Sequence, residues 1–362
     1  MNRSEKIEAG FMLASYLDTV GFRNGIWEFN YGYKLDNINN VNKVWLDMIL
    51  DFFSLGGFSL DISQWNASDD TILLLATANA IINDSSYKSE YLKVLSSLKE
   101  EKRYSGKTTL DSLMLLKTHN IVKTNKNMGG NGAAMRTGPI GIKWHNDEEK
   151  IIIESIKASV LTHNYYIGYM GGVVSALFSA YAFNGIEPKL WIDKLLKLYN
   201  DKILHKYFPK DQNIILLDDF INYWKRYKEF KMNIPKTNSY VPSNKHLNFL
   251  MSFNPNDKVQ EYVENNDSLI NKNDIIWNNL GITGIDSCIY AYDCLLNCII
   301  NEKYSWENFM INVALHIGDN DTTGCIGGFW FGLLHGYNNI DKKKMKQLEF
   351  YNKLLETSKK IL

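Results

Sequence analysis

The run GYMGGVVSALFSAYAF at residues 168–183 is apolar almost throughout and sets Gly168, Gly172, Ala176 and Ala180 four apart. A strand would show its pattern every second residue. A helix instead brings positions four apart onto one face, where small side chains let neighbouring backbones approach. The spacing predicts a buried helix, and the apolar pattern carries it back to Ser155, so 155–183 reads as one helical segment. Residues 70–83 (DTILLLATANAIIN) read the same way, and 286–301 is a third buried candidate. Residues 342–361 read as amphipathic, with Met345, Leu348, Leu354 and Leu355 on or near one face. Sustained period-two alternation is hard to find, so few strands are expected, and no internal repeat is evident. Residues 223–274, rich in Lys, Asn and aromatics and holding Pro235, Pro242 and Pro255, read as a partly irregular excursion. The expected fold is all-α: a single compact multi-helix domain over residues 1–362, its helices broken by glycine-rich loops.

Composition narrows the function classes. The chain has 362 residues, 45% hydrophobic and 22% charged, enough to bury a large core without cross-links. Lys plus Arg equals Asp plus Glu, 40 against 40, so no global field steers it to nucleic acid or an acidic membrane. Any phosphate or metal site must be local. The cysteines Cys288, Cys294, Cys298 and Cys325 show no zinc spacing, and this usage fits a reducing compartment. The charged N-terminus makes a poor secretory signal, and 168–183 is too short and too rich in Gly, Ser and Tyr for a membrane span. A soluble, cytoplasmic monomer is expected.

Two acidic clusters stand before apolar helical runs. Ser68-Asp69-Asp70-Thr71 precedes one; Asp319-Asn320-Asp321-Thr322-Thr323 precedes the other, 324–334. Each by itself reads as a helix cap, because Ser or Asp satisfies free N–H groups and acids suit the helix dipole. If the two mouths converge, four carboxylates share a small volume. Like charges that close raise each other's pKa unless cations neutralise them. Carboxylate and hydroxyl oxygens suit Mg²⁺ or Mn²⁺, and neither His163 nor His316 is assigned a metal role.

Glycine-rich loops accompany these clusters. MGGNGAAMR at 128–136 opens into a helix-like stretch, where backbone N–H groups could meet a phosphate. It fits neither the Rossmann nor the Walker pattern. Residues 103–108 end like a Walker loop, but Glu101 stands where the first glycine belongs, which excludes a nucleoside triphosphatase on that motif. Lys107 reads equally as a diphosphate contact or a solvated lysine. Gly281-Ile282-Thr283-Gly284-Ile285-Asp286 is a turn followed by a helix start, and Glu28 lies between Trp27 and Phe29. A carboxyl beside aromatic rings can take a raised pKa and move protons; a surface glutamate is the ordinary alternative.

Taken in order, these stretches resemble the ADP-ribosyl-acceptor hydrolases, and most closely their ADP-ribosylarginine branch. The match runs from about Gly10 to Leu355. It includes Asn24-Gly25-Ile26-Trp27-Glu28-Phe29, Ser63-Gln64-Trp65 with Ser68-Asp69-Asp70-Thr71, Gly106-Lys107-Thr108, Gly132-Ala133-Ala134-Met135-Arg136, Thr162-His163 with Gly168-Tyr169, and His316 through Thr322. The resemblance implies two Mg²⁺ ions, with Mn²⁺ an alternative, held by Ser68, Asp69, Asp70, Asp319, Asp321 and Thr322. It implies catalytic roles for Glu28, Asp70 and Asp321. It implies ADP-ribose contacts from Gly130, Asn131 and Gly132, and from Gly106, Lys107, Gly281, Thr283, Gly284 and Asp286. The implied reaction removes ADP-ribose from protein side chains, arginine first, by hydrolysis of an N-glycosidic bond. The implied partners are ADP-ribosylated proteins and ADP-ribose. The alternatives are hydrolysis of another conjugate, such as a serine adduct or an acylated ADP-ribose, and a silent ADP-ribose binder. Two departures stand out: Leu17 replaces a glycine and is expected to narrow the site, and Ile285 stands where the arginine branch tends to have histidine.

Overall fold

The computed structural model describes residues 2–30, 41–232, 280–300, 303–337 and 340–362. Most of the expected excursion, 233–274, lies outside them, while 223–232 end a regular helix. The described α-helices are α1 (Arg3–Phe22), α2 (Val41–Ser54), α3 (Asp69–Ile82), α4 (Tyr87–Leu98), α5 (Lys107–Thr118), α6 (Gly138–Lys143), α7 (Glu148–Ser159) and α8 (Tyr166–Phe183). They continue with α9 (Trp191–Asn200), α10 (Ile203–Tyr207), α11 (Ile215–Met232), α12 (Asp286–Asn297), α13 (Trp306–Ala314), α14 (Asn320–His335) and α15 (Tyr351–Lys360). The fold is all-α. Among the described residues, strand structure is confined to an antiparallel pairing of β1 (Ile299–Ile300) with β2 (Lys303–Tyr304).

Two close backbone crossings organise the bundle. α14 carries Gly324, Gly328 and Gly332 four apart, so they share one face. A Cβ on these glycines would lie 2.8 Å from the Leu17 carbonyl oxygen, 2.5 Å from that of Leu13 and 2.4 Å from that of Ala9. α1 and α14 therefore pack backbone on backbone, and the end of α1 sits beside the start of α14. The predicted stripe on α8 packs as closely. A Cβ on Gly168 would meet the Met128 carbonyl at 2.5 Å, and one on Gly172 the Ser159 hydroxyl at 2.3 Å. Around the two crossings lies an aromatic core in which Phe178 touches Trp191, Trp224, Tyr292 and Trp330, with ring centroids 5.2–5.4 Å apart. Burying each such side chain contributes about 1.5–3 kcal/mol.

Three boundaries differ from the sequence reading. The segment 155–183 is two helices, because Thr162 and His163 turn their side chains to other partners and Tyr165 is extended. The segment 286–301 ends as a helix at Asn297 and passes into β1. The segment 342–361 is a 3₁₀ stretch, Lys342–Gln347, an extended Leu348, and then α15. That break lets Glu349 reach Arg103 instead of following a helix. Met345, Leu348 and Leu354 are buried as expected. At eighteen residues, α8 is long and apolar enough by composition to span a membrane, contrary to the sequence expectation, but every one of its residues is buried within the protein. All four cysteines are free and buried.

Candidate functional site

Three helix ends meet at one place. Asp18, in the last turns of α1, accepts the backbone N–H of Ser68 at 3.1 Å and of Thr71 at 3.2 Å, and also the Thr71 hydroxyl. This seats the start of α3 against α1, while the glycine crossing seats the start of α14 there. Glu28 arrives from a 3₁₀ turn, Glu28–Asn30, docked by Phe29 N–H on the Gly318 carbonyl at 3.0 Å. The Asn320 amide holds the Trp27 carbonyl at 3.0 Å. The turn before Ser68 is fixed from behind. Buried Arg103 donates to the Ala67 carbonyl and, through two bonds of 2.7 Å, to both oxygens of Glu349. His316 accepts the Gly318 N–H at Nδ1, 3.0 Å, so its Nε2 donates to Thr323 at 2.7 Å and braces the second acidic loop.

The convergence expected from sequence is present. Oxygens of Asp18, Asp70 and Asp321 lie within 4.8 Å of one another, and so do those of Glu28, Asp319 and Asp321. Thr322 donates to Asp70 at 3.3 Å across the two helix mouths. All six carboxylates of this region are buried. Burial pushes Asp18 up to about 6. Burial, then the charges of Asp18 and Asp319, pushes Asp69 up to about 7. Asp70, Asp321 and Glu28 rise well above the carboxylate range, first by burial and then by their acidic neighbours. Burial raises Asp319 as well. Asp70 Oδ2 and Glu28 Oε2 are buried with no hydrogen-bond partner. Unpartnered buried oxygens amid like charges fit a bound cation, and the all-oxygen donor set suits a hard one.

A cleft of about 390 Å³ opens over this cluster. Glu28, Asp69, Asp70, Asp319, Asp321 and Thr322 form one wall. Gly130, Asn131 and Gly132 form another, with Gly106 and Lys107 at the start of α5. Asn131 joins the walls, donating to the Gly281 carbonyl at 2.7 Å and to Asp319 at 2.8 Å. Lys107 is largely exposed and pairs with Asp111 at 2.7 Å. Ser68 lies behind the wall, where its hydroxyl caps α3 by accepting the Asp70 N–H at 3.1 Å. At α14 the N-cap position is Asp319, whose side chain makes no capping bond and instead accepts from Asn131.

The loop 281–286 shapes the cleft more than it lines it. Asp286, pushed up to about 6 by burial, accepts the N–H groups of Gly281 and Thr283, each at 2.8 Å. A Cβ on Gly284 would stand 2.2 Å from the Ile167 carbonyl, so the glycine is needed for the loop to lie on α8. Of this loop, Ile282 faces the cleft, whereas Thr283 borders a neighbouring cavity of about 640 Å³ with Tyr165, Tyr166 and Tyr223. Gly281, Gly284 and Asp286 line neither. Leu17 is fully buried at the α1–α14 crossing and does not line the cleft, so the expected narrowing is absent. Ile285 is likewise buried away from it.

Sequence reasoning assigned no site role to Asp18 or His163. For Asp18 the available signal was the stretch Leu17-Asp18-Thr19-Val20-Gly21, which stands where the family that the sequence resembles has Gly-Asp-Ala-Leu-Gly. His163 lines the cleft beside Gly130 and Gly132, and the Thr-His-Asn interruption between two apolar runs was the available signal.

A family model described as ADP-ribosylglycohydrolase matches residues 18–362. ADP-ribosylhydrolase ARH1 of Dictyostelium discoideum is 30% identical over 96% of this chain and 91% of its own length. Protein L444 of Acanthamoeba polyphaga mimivirus, which carries an ADP-ribosyl glycohydrolase name, is 32% identical over 94% of this chain and 66% of its own. A solved structure titled ADP-ribosylglycohydrolase-related protein complex superposes with a TM-score of 0.58 over 99% of this chain and 97% of that one, at 13% identity, and so shares the fold.

Proposed function

Given that the chain belongs to the ADP-ribosylglycohydrolase family, metal-dependent hydrolases that remove ADP-ribose, we propose that it cleaves the N-glycosidic bond between ADP-ribose and an arginine side chain of a modified protein. The observation that carries this reading is the buried carboxylate cluster at the floor of a glycine-walled cleft. Two Mg²⁺ ions, or Mn²⁺ in their place, would be held by Asp69, Asp70, Asp319, Asp321 and Thr322, with Ser68 completing the α3 side. Bound there, such ions orient ribose hydroxyls and polarise oxygen ligands.

The chain's own groups divide the remaining work. We assign the glycine loop at Gly130, Asn131 and Gly132 and the start of α5 at Gly106 and Lys107 to the ADP-ribose diphosphate. The loop 281–286 holds Asn131 and thereby the register between that loop and the acidic wall. Glu28 reaches the cleft from outside both acidic helices, and burial favours its protonated form. In this reading Glu28 exchanges a proton with the leaving nitrogen as the anomeric carbon gains oxocarbenium character. Asp18 already spends both oxygens on α3, so we assign it to positioning. The enzyme is proposed to act as a cytoplasmic monomer.

The test is release of free ADP-ribose from an ADP-ribosyl-arginine protein, with magnesium and then with EDTA. Release that EDTA abolishes supports the proposal. No release from the arginine conjugate, with release from a serine or acyl conjugate, would move the substrate assignment. ADP-ribose binding with no release from any of them would make the protein a silent binder.

A further inference from the structure

Arg136 is a fully buried cation that no carboxylate pairs with among the described residues. It sits between the 3₁₀ turn Asn131–Ala133 and α6, with its guanidinium 4.7 Å from the ring centre of Tyr91. It donates to the Gly132 carbonyl at 2.6 Å, to the Ala158 carbonyl at 3.2 Å and to the Thr162 hydroxyl at 2.6 Å. A buried charge is costly unless its hydrogen bonds serve something. Two of these bonds hold groups at the cleft, the glycine loop and the residue before His163.

A guanidinium only donates, so the Thr162 oxygen accepts from Arg136. Thr162 is fully buried and has one proton of its own to place. The acceptor in reach is His163 Nδ1, at 2.8 Å. An Nδ1–H would leave the Thr162 proton buried and unspent, which costs more than the bond it replaces. With Nδ1 accepting, the neutral ring carries its proton on Nε2. The ring is held neutral by burial and by the Arg136 charge, which push its pKa down to about 3. Nε2 lies against the glycine loop: a Cβ on Gly132 would stand 3.0 Å from it, and one on Gly130 3.3 Å. Both positions are without side chains where the imidazole edge meets the cleft.

We infer that Arg136 is a positioning residue which, acting through Thr162, fixes His163 as the neutral Nε2–H tautomer and so turns a hydrogen-bond donor toward an acceptor oxygen of the ligand. The identity of that ligand as ADP-ribose rests on the proposed function; the tautomer does not. The experiment uses two readouts on the full chain. The first is a long-range ¹⁵N–¹H spectrum of histidine-labelled protein without ligand, with His163 assigned by its loss in His163→Gln. The second is calorimetric binding of ADP-ribose to wild type, Thr162→Ser, Thr162→Val, His163→Gln and His163→Leu.

The expected spectrum shows His163 protonated at Nε2 alone in wild type and in Thr162→Ser, and a mixture of tautomers in Thr162→Val. The expected binding is near wild type for Thr162→Ser and His163→Gln, which keep the hydroxyl and a donor respectively. It is weaker by about tenfold for Thr162→Val and His163→Leu, the loss of about one hydrogen bond. A wild-type Nδ1–H tautomer, or a Thr162→Val variant that keeps both the tautomer and the affinity, overturns the inference. Absence of ADP-ribose binding by wild type with the Nε2–H tautomer intact overturns the proposed function and leaves the tautomer standing.

Discussion

Asp69→Asn keeps the shape of the side chain at the mouth of α3 and removes one of the charges crowded there. The Asp69 carboxyl is pushed from 3.8 up to about 7, by burial first and then by Asp18 and Asp319. Between those values the folded protein holds a proton that the unfolded chain has lost. Stability of the metal-free protein therefore falls as pH rises through that window, and the penalty is complete above about pH 7. Roughly three pH units at about 1.36 kcal/mol each set the ceiling near 4 kcal/mol. Asp18 and Asp319 share the relief, so the expected gain for the variant at pH 8 is about 2–4 kcal/mol. An unfolding entropy of about 2.1 cal/mol/K per residue, over 362 residues, converts this to a Tm rise of about 3–5 °C. The gain should shrink toward zero near pH 4.

Magnesium should narrow that difference. A cation bound by deprotonated carboxylates stabilises wild type by about 2.7 kcal/mol at a hundredfold excess over Kd, and the variant by less. The assay is scanning calorimetry from pH 4 to 8, in EDTA and in magnesium. Parallel metal-free curves for the two proteins, or an equal magnesium shift in both, would refute the assignment of charge crowding at this site.

Three further outcomes are expected. Glu28→Gln should keep the magnesium-dependent rise in Tm while losing turnover by about 10²–10⁴-fold, measured as ADP-ribose release; loss of the Tm rise as well would make Glu28 a ligand. Gly328→Val places a side chain where a Cβ already stands 2.5 Å from the Leu13 carbonyl, and should lower stability by about 3 kcal/mol or more in denaturant titration; a well-folded variant would contradict the backbone-on-backbone crossing. Arg103→Met removes the Ala67 carbonyl's donor and leaves Glu349 with the Ala67 N–H alone, and should cost about 1.5–3 kcal/mol in the same titration, together with weaker magnesium binding as the Ser68 turn loosens.

Much of this was legible along the chain. Helix type follows from local spacing, so α3, α8, α12 and the glycine-broken loops could be read where they fall. The two acidic clusters and the 128–136 loop are contiguous motifs, and their residue chemistry already pointed to a hard cation and a phosphate. The errors fell where a side chain answers to a distant partner. The 155–183 helix breaks because Thr162 bonds to Arg136, and the 342–361 helix breaks where Glu349 reaches Arg103, 246 residues away in sequence. The expectation for Leu17 failed because proximity in sequence to Asp18 says nothing of which way a helix turns its side chains once Gly324 packs on its carbonyl.

By itself, then, the sequence determined the all-α class, the oxygen-rich character of the site and the loops that serve it, because these depend on periodicity and residue type within a few turns. Only the tertiary structure decided that α1, α3 and α14 end at one point. It also decided that Asp18 braces the cluster, and that Arg136 stands behind His163. Those relations depend on how closely glycine-striped helices can approach, a distance set by packing among segments up to some three hundred residues apart.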